Sequence, residues 1–182
     1  TLENASAVSL WVSQFFNKSK FKNKNFIYGN SNSKNYLSKN YINIPLKNLK
    51  SKFRSTSYEY VEKISKNIIK EKFDIVEIHN RPLILFQLLK RINAKFIMYY
   101  HNDPLTMSGS KSISERVEIL KKVEKLVFIS KWVKKRFFKG LDSTQEHKTE
   151  IIYHSTNKRK KKIKTNQIVF VGKVNHSIGY DI

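Results

Sequence analysis

Short apolar runs alternate with amphipathic stretches along most of this 182-residue chain. The clearest runs are 74–79 (DIVEIH), 95–101 (KFIMYYH), 126–130 (LVFIS) and 150–153 (EIIY). Their length and their content of Ile, Val, Phe and Tyr predict strands. Between them the apolar period shifts to three and four. Val61, Ile64 and Ile68 place a helix from 57 to about 71, and Val117, Leu120 and Val123 place another from 113. Thr56 with Glu59, and Ser112 with Glu115, have the spacing of capping boxes. Segments 83–91 and 131–137 read as further helices, the second contributing Trp132, Val133 and Phe137 to the core. Nearer the start, residues 5–16 put Ala7, Leu10, Trp11, Gln14 and Phe15 on one helical face. Weaker strands follow at 24–29 and 41–44. Regular β-α-β alternation with short strands predicts an α/β fold, a Rossmann-like parallel sheet with helices on both faces. Its crossovers are expected to be right-handed.

Composition narrows this further. Hydrophobic residues make up 40% of the chain, enough for a packed core, and no run approaches the roughly 20 apolar residues that span a bilayer. The absence of cysteine excludes disulfide and thiolate chemistry and fits a reducing, cytoplasmic setting. The chain begins at Thr1 with no basic, apolar leader and ends at Ile182 where a helix starts to form, so it reads as a piece of a longer protein.

A formal charge of +22 raises nucleic acid as a partner. Lys is scattered along the chain, whereas base-reading modules concentrate Arg and aromatics in one motif. The charge therefore reads as mainly compositional, with a lesser part in attracting anionic lipid or phosphate. Residues 155–165, which include the KRKKKK block, read as a basic linker. Residues 166–182 then begin a second unit with IVFVGK, a strand running into a glycine turn.

Candidate chemistry collects at predicted strand ends, where open α/β sheets bind their ligands. Two strands end in the same pattern, His79-Asn80-Arg81-Pro82 and His101-Asn102-Asp103-Pro104. Ser130 and the pair His154-Ser155 end two more. His79 has an equal structural reading, as a histidine bonded to backbone. His101 heads a long polar loop, which favours function. Ser130 also reads as a helix N-cap, and Pro82 and Pro104 as helix-start or loop-stiffening residues. No metal-ligand spacing, Asp-x-Asp pair, nucleophile elbow, phosphate loop or paired acid/base carboxylates occurs.

The order of these motifs resembles family 4 glycosyltransferases, above all bacterial members that build lipopolysaccharide and other surface glycans. The resemblance rests on His-Asn-Arg-Pro, His-Asn-Asp-Pro, then FISKWV with Arg136 and Phe137, then FVGK and GYDI. It spans residues 74–182. The resemblance implies a GT-B architecture of two Rossmann-like domains. Residues 1–154 would be the acceptor-side domain without its first strand, and residues 166–182 the start of the donor-binding domain. It also implies metal-independent, cofactor-free transfer of a sugar from a nucleotide-sugar donor to a saccharide or lipid-linked acceptor, with retention.

By position, His101 would be the catalytic histidine that reaches the transferred sugar. His79, Asn80, Arg81, Asn102, Asp103 and Ser130 would line the substrate side. Gly172 and Lys173 would meet the donor diphosphate, where fixed positive charge stabilises the departing phosphate. One departure stands out: Ile178 occupies the place of a lysine usual in the family. The resemblance implies a cytoplasmic enzyme with peripheral contact to the anionic inner face of the plasma membrane, and a piece this short would be inactive alone. The alternative is a non-catalytic, basic Rossmann-like module binding nucleic acid or anionic glycan. A third reading, an epimerase or dehydrogenase, lacks its Gly-x-Gly-x-x-Gly fingerprint.

Overall fold

The computed structural model describes residues 5–32, 34–46 and 56–154. Gly172, Lys173, Ile178, the linker and the second unit lie outside them. Among the described residues the chain forms α1 (Ala7–Lys18), β1 (Ile27–Gly29), β2 (Tyr41–Asn43), α2 (Thr56–Glu71), β3 (Ile75–His79) and α3 (Pro82–Leu89). Then come β4 (Lys95–Tyr100), α4 (Ile113–Lys122), β5 (Lys125–Phe128), α5 (Lys131–Phe137) and β6 (Thr149–Ile151). Two short 3-10 turns, Pro104–Thr106 and Ser143–Lys148, interrupt the loops.

Every strand pair among the described residues is parallel. Strands β3, β4, β5 and β6 lie side by side in chain order, and β1 pairs with β2 in a separate two-stranded sheet. The fold is therefore α/β and Rossmann-like. Successive right-handed crossovers that step in one direction place their helices on one face of the sheet. Helices α2, α3, α4 and α5 cover one face around Ile78, Phe96, Met98, Tyr100, Leu126 and Phe128. The opposite face is served by α1, whose Trp11 packs on Tyr99 and Val127. Strands β4 and β5 are thus buried on both faces, which is why they read as nearly continuous apolar runs.

Local signals explain the helix limits. Ser112 Oγ accepts from Glu115 N at 3.2 Å, and the Glu115 carboxylate accepts from Ser112 N at 3.0 Å, completing the expected box. These backbone hydrogen bonds hold the Glu115 carboxyl below its usual range. Pro82 opens α3, where its missing N–H has no intrahelical partner to lose. In α2 the Glu59 carboxylate accepts from Lys63 Nζ at 2.6 Å, and residues 47–55, just before Thr56, are outside the described set.

Two expectations require correction. On α1 only Trp11 and Ser13 are buried, while Leu10 and Phe15 face outward and Phe15 stacks on the Trp11 ring at 5.1 Å. Trp132 is not core: it is 57% exposed, with the Arg136 guanidinium 5.7 Å from its ring centre. Val133 and Phe137, four residues apart, share the inward face of this seven-residue helix, and Trp132, about 100° round from Val133, points away from it.

Phe137 is fully buried against Tyr100 and Phe128, with ring centroids 5.3 and 5.5 Å away. Phe137→Ala should therefore destabilise the protein by about 3–5 kcal/mol. Trp132→Ala, which removes only an exposed ring, should cost less than about 1 kcal/mol. Urea unfolding midpoints of the two variants check both values. Equal losses would contradict the inside-outside assignment of α5.

Candidate functional site: a strand-end histidine array

The C-terminal ends of β3, β4 and β6 bring three histidines together on the face covered by α1. His79 aligns with Tyr99, and alternation along β4 then turns Tyr99 and His101 to the same side as His79. His79 Nδ1 lies 2.9 Å from His101 Nε2, and His101 Nδ1 lies 3.0 Å from His154 Nε2. The Trp11 ring spans all three, with centroid separations of 6.0, 5.0 and 5.3 Å to His79, His101 and His154. Tyr99 stacks on His79 at 4.5 Å. Glu77, two residues back on the same side of β3, places a carboxylate oxygen 3.8 Å from His79 Nε2.

The asparagines of the repeated motif also meet. Asn80 adopts a left-handed backbone conformation, with φ of 53°, which asparagine tolerates better than most residues. Its Oδ1 accepts from the His101 backbone N–H at 2.7 Å, and its Nδ2 donates to Asn102 Oδ1 at 2.8 Å. The two His-Asn pairs thus join one another, histidine to histidine and asparagine to asparagine.

Asp103 turns away from this array and anchors the loop after β4. Its Oδ1 accepts from Leu105 N at 3.0 Å, and its Oδ2 accepts from Arg136 Nε and Nη2 at 3.0 and 2.7 Å. The Arg136 hydrogen bond holds the Asp103 carboxyl below the usual range and raises the guanidinium in turn. Gly109 closes the loop with φ of +92°, and a side chain there would meet Leu83 N at 3.0 Å. The loop is therefore pressed against the start of α3. Beneath it Ser110 Oγ donates to Pro104 O at 2.6 Å, and the buried Arg116 donates to the carbonyls of Lys111 and Lys139.

Among the residues expected at the site, His79, Asn80, His101 and Asn102 are brought together. Arg81 is exposed at the N-cap position of α3 and makes no side-chain cap bond. Ser130 caps α5, its Oγ accepting from Val133 N at 3.2 Å. Sequence reasoning missed Trp11 as the cover, His154 as a ring partner of His101, and Arg136 as the anchor of Asp103. His154 had a signal, being a fourth strand-end polar residue. Trp11 had none beyond helical spacing and Arg136 stood out only as a motif residue with no role, because their partners lie 90 and 33 residues away along the chain.

Two surface concavities lie away from the array. One, of about 520 Å³, opens at the other end of β3 and β4 among Lys72, Phe73, Asp74 and Lys95. The other, of about 770 Å³, runs beside α5 between Trp132, Phe138 and Ile151, with Lys131, Lys134, Lys135, Arg136 and Lys139 around it. Among the described residues no set of three His, Asp or Glu side chains is placed to hold a metal ion. The imidazoles form a line, each spent on its neighbour, and do not converge on one point. No helix among the described residues is long and apolar enough to cross a membrane. No family model matches the chain, and no curated protein matches it.

Burial first, then the neighbouring His79 and His154 rings, push His101 down to about 3 from its ordinary 6.5. Burial lowers His154 as well. The unfolded chain binds a proton at His101 below about pH 6.5, whereas the folded chain binds one only near pH 3. Stability is thus fully present above about pH 6.5 and is lost as pH falls through the window toward 3, by at most about 1.4 kcal/mol per unit. Urea midpoints should fall between about pH 7 and 5. His101→Gln should remove most of that slope, and an unchanged slope would assign the acid sensitivity to other groups.

Proposed function

We propose that the protein is the acceptor-side portion of a retaining, metal-independent glycosyltransferase. It would transfer a sugar from a nucleotide-sugar donor to a saccharide or lipid-linked acceptor. The observation that carries this reading is the pairing of the two His-Asn strand ends, His79 with His101 and Asn80 with Asn102, at the ligand-binding end of a parallel sheet. Packing does not call for such residues there. Imidazoles and amides offer the mixed donors and acceptors that sugar hydroxyls need.

The role of His101 is constrained by its bonds. Both ring nitrogens are engaged by histidines, so contact with a sugar hydroxyl requires exchanging one of those bonds for a bond to the ligand. A ring kept neutral by burial makes that exchange without releasing a proton. Asp103, held by Arg136, stiffens the loop that borders the rim. In this reading Gly172 and Lys173, outside the described residues, would bind the donor diphosphate. In the full-length protein, His101→Ala should lower sugar transfer by about 100-fold or more with the circular dichroism spectrum unchanged. Turnover close to wild type would remove His101 from the mechanism. A Glu-x7-Glu donor signature downstream of Ile182 would favour this enzyme over the non-catalytic binding module.

Contact with an anionic membrane at the cytoplasmic face belongs to the same reading. The surface of α5 supports it, because exposed Trp132 stands among Lys131, Lys134, Lys135 and Lys139. An aromatic ring with surrounding lysines suits the headgroup region, where each cation near an anionic surface contributes about 1 kcal/mol. Co-sedimentation with phosphatidylglycerol vesicles should weaken with salt. It should weaken further in Lys131→Glu/Lys135→Glu than in Lys66→Glu/Lys70→Glu on α2. Equal losses would mean that total charge alone drives binding.

A further inference from the structure

The three imidazoles form a hydrogen-bonded line, and a neutral imidazole has one N–H and one lone pair. His101 therefore donates to one neighbour and accepts from the other, which leaves two polarities for the whole array. In the first, His154 Nε2–H donates to His101 Nδ1, and His101 Nε2–H donates to His79 Nδ1. His79 then carries its proton on Nε2, facing the Glu77 carboxylate 3.8 Å away. In the second, every proton moves to Nδ1 and the His79 Nε2 lone pair faces that carboxylate. The second places two electron-rich groups against each other, and the first places an N–H dipole toward a negative charge.

The remaining surroundings do not oppose this choice. His101 faces Trp11 from α1, His79 from β3, Tyr99 from β4 and His154 just beyond β6, while Glu77 stands behind His79, where its carboxylate also acts on the Tyr99 hydroxyl. Glu77 is the one acid among them, and it sits at one end of the line. At the other end His154 is exposed, and its Nδ1 has no partner among the described residues.

We infer that Glu77, His79, His101 and His154 form a directional proton relay, polarised by Glu77, that presents the His154 Nδ1 lone pair at the rim to a hydroxyl-bearing ligand. One transfer balances as follows. The ligand hydroxyl gives its proton to His154 Nδ1, which frees an electron pair on its oxygen for bond formation, and the His154 Nε2 proton passes to His101 Nδ1. The His101 Nε2 proton passes to His79 Nδ1, and the His79 Nε2 proton passes to the Glu77 carboxylate once the two close from 3.8 Å to hydrogen-bond distance. The array ends with reversed polarity and a neutral Glu77, which returns its proton to water across its exposed edge. Glu77 and His79 are positioning residues in this scheme, because they set the tautomer that His154 displays. The polarity follows from ring geometry and the carboxylate, independently of the sugar-transfer reading.

Two-bond nitrogen–proton correlation spectra of the imidazoles in the full chain, at a pH where they are neutral, test the polarity. His79, His101 and His154 should each carry the proton on Nε2, and Glu77→Gln should populate the Nδ1–H form at His79 and His101. Nδ1–H rings in the wild-type protein, or no change in Glu77→Gln, would overturn the proposal. Diethyl pyrocarbonate, followed by peptide mass mapping, tests the exposed terminus. His154 should be carbethoxylated at a rate comparable to that of exposed His147, with His79 and His101 protected. Modification of His101 ahead of His154 would equally reject the relay. Neither experiment depends on enzyme turnover, so failure of the relay and failure of the glycosyltransferase reading remain distinguishable.

Discussion

Asn80 ties the end of β3 to the end of β4, and the site exists because of that tie. Its backbone N–H donates to Tyr99 O at 2.9 Å, its Oδ1 accepts from His101 N at 2.7 Å, and its Nδ2 reaches Asn102 at 2.8 Å. The three bonds continue strand pairing one residue past the ladder and terminate it by turning Asn80 into the left-handed region. A side chain without both an amide oxygen and an amide nitrogen cannot make this set of contacts. Pairing fixed in this way leaves His79 and His101 on the same face and within hydrogen-bond reach.

The two sides of the sheet are unequal, and that inequality gives the histidines their character. Four helices bury one face in a large apolar cluster, while α1 covers the strand ends of the other with little more than Trp11. An aromatic lid excludes water from His101 and offers its ring no hydrogen bond, so the imidazole stays neutral and turns to other imidazoles. The same lid leaves His154 exposed at the margin. A graded line results, buried in the middle and open at one end.

Loop rigidity rests on a separate set of contacts. Asp103 with Arg136, Gly109 against α3, and Ser110 against Pro104 hold the segment after β4 from three sides. The repeated His-Asn-x-Pro pattern therefore divides its labour. His and Asn build the array, Asp103 anchors the loop, and each proline starts a helical turn where its lost N–H costs nothing.

Much of the fold is legible in the order of residues, because strands and helices here obey local rules. The helix α4 is announced by Ser112 and Glu115, α2 by Val61, Ile64 and Ile68, and the parallel sheet by short apolar runs spaced by helices. These depend on neighbours within four residues. Candidate site residues were legible as positions at strand ends, since polar side chains after apolar runs stand out. What joins them was not. Trp132 and Trp11 look alike as helical aromatics, yet one is exposed and the other covers the histidines. His101 and His154 are 53 residues apart and meet only because β4 and β6 flank β5 with their carboxyl ends level. The sequence by itself determined the elements, their alternation and the polar strand ends. The tertiary structure decided which polar groups touch, because register and lid placement bring together residues that no local period relates.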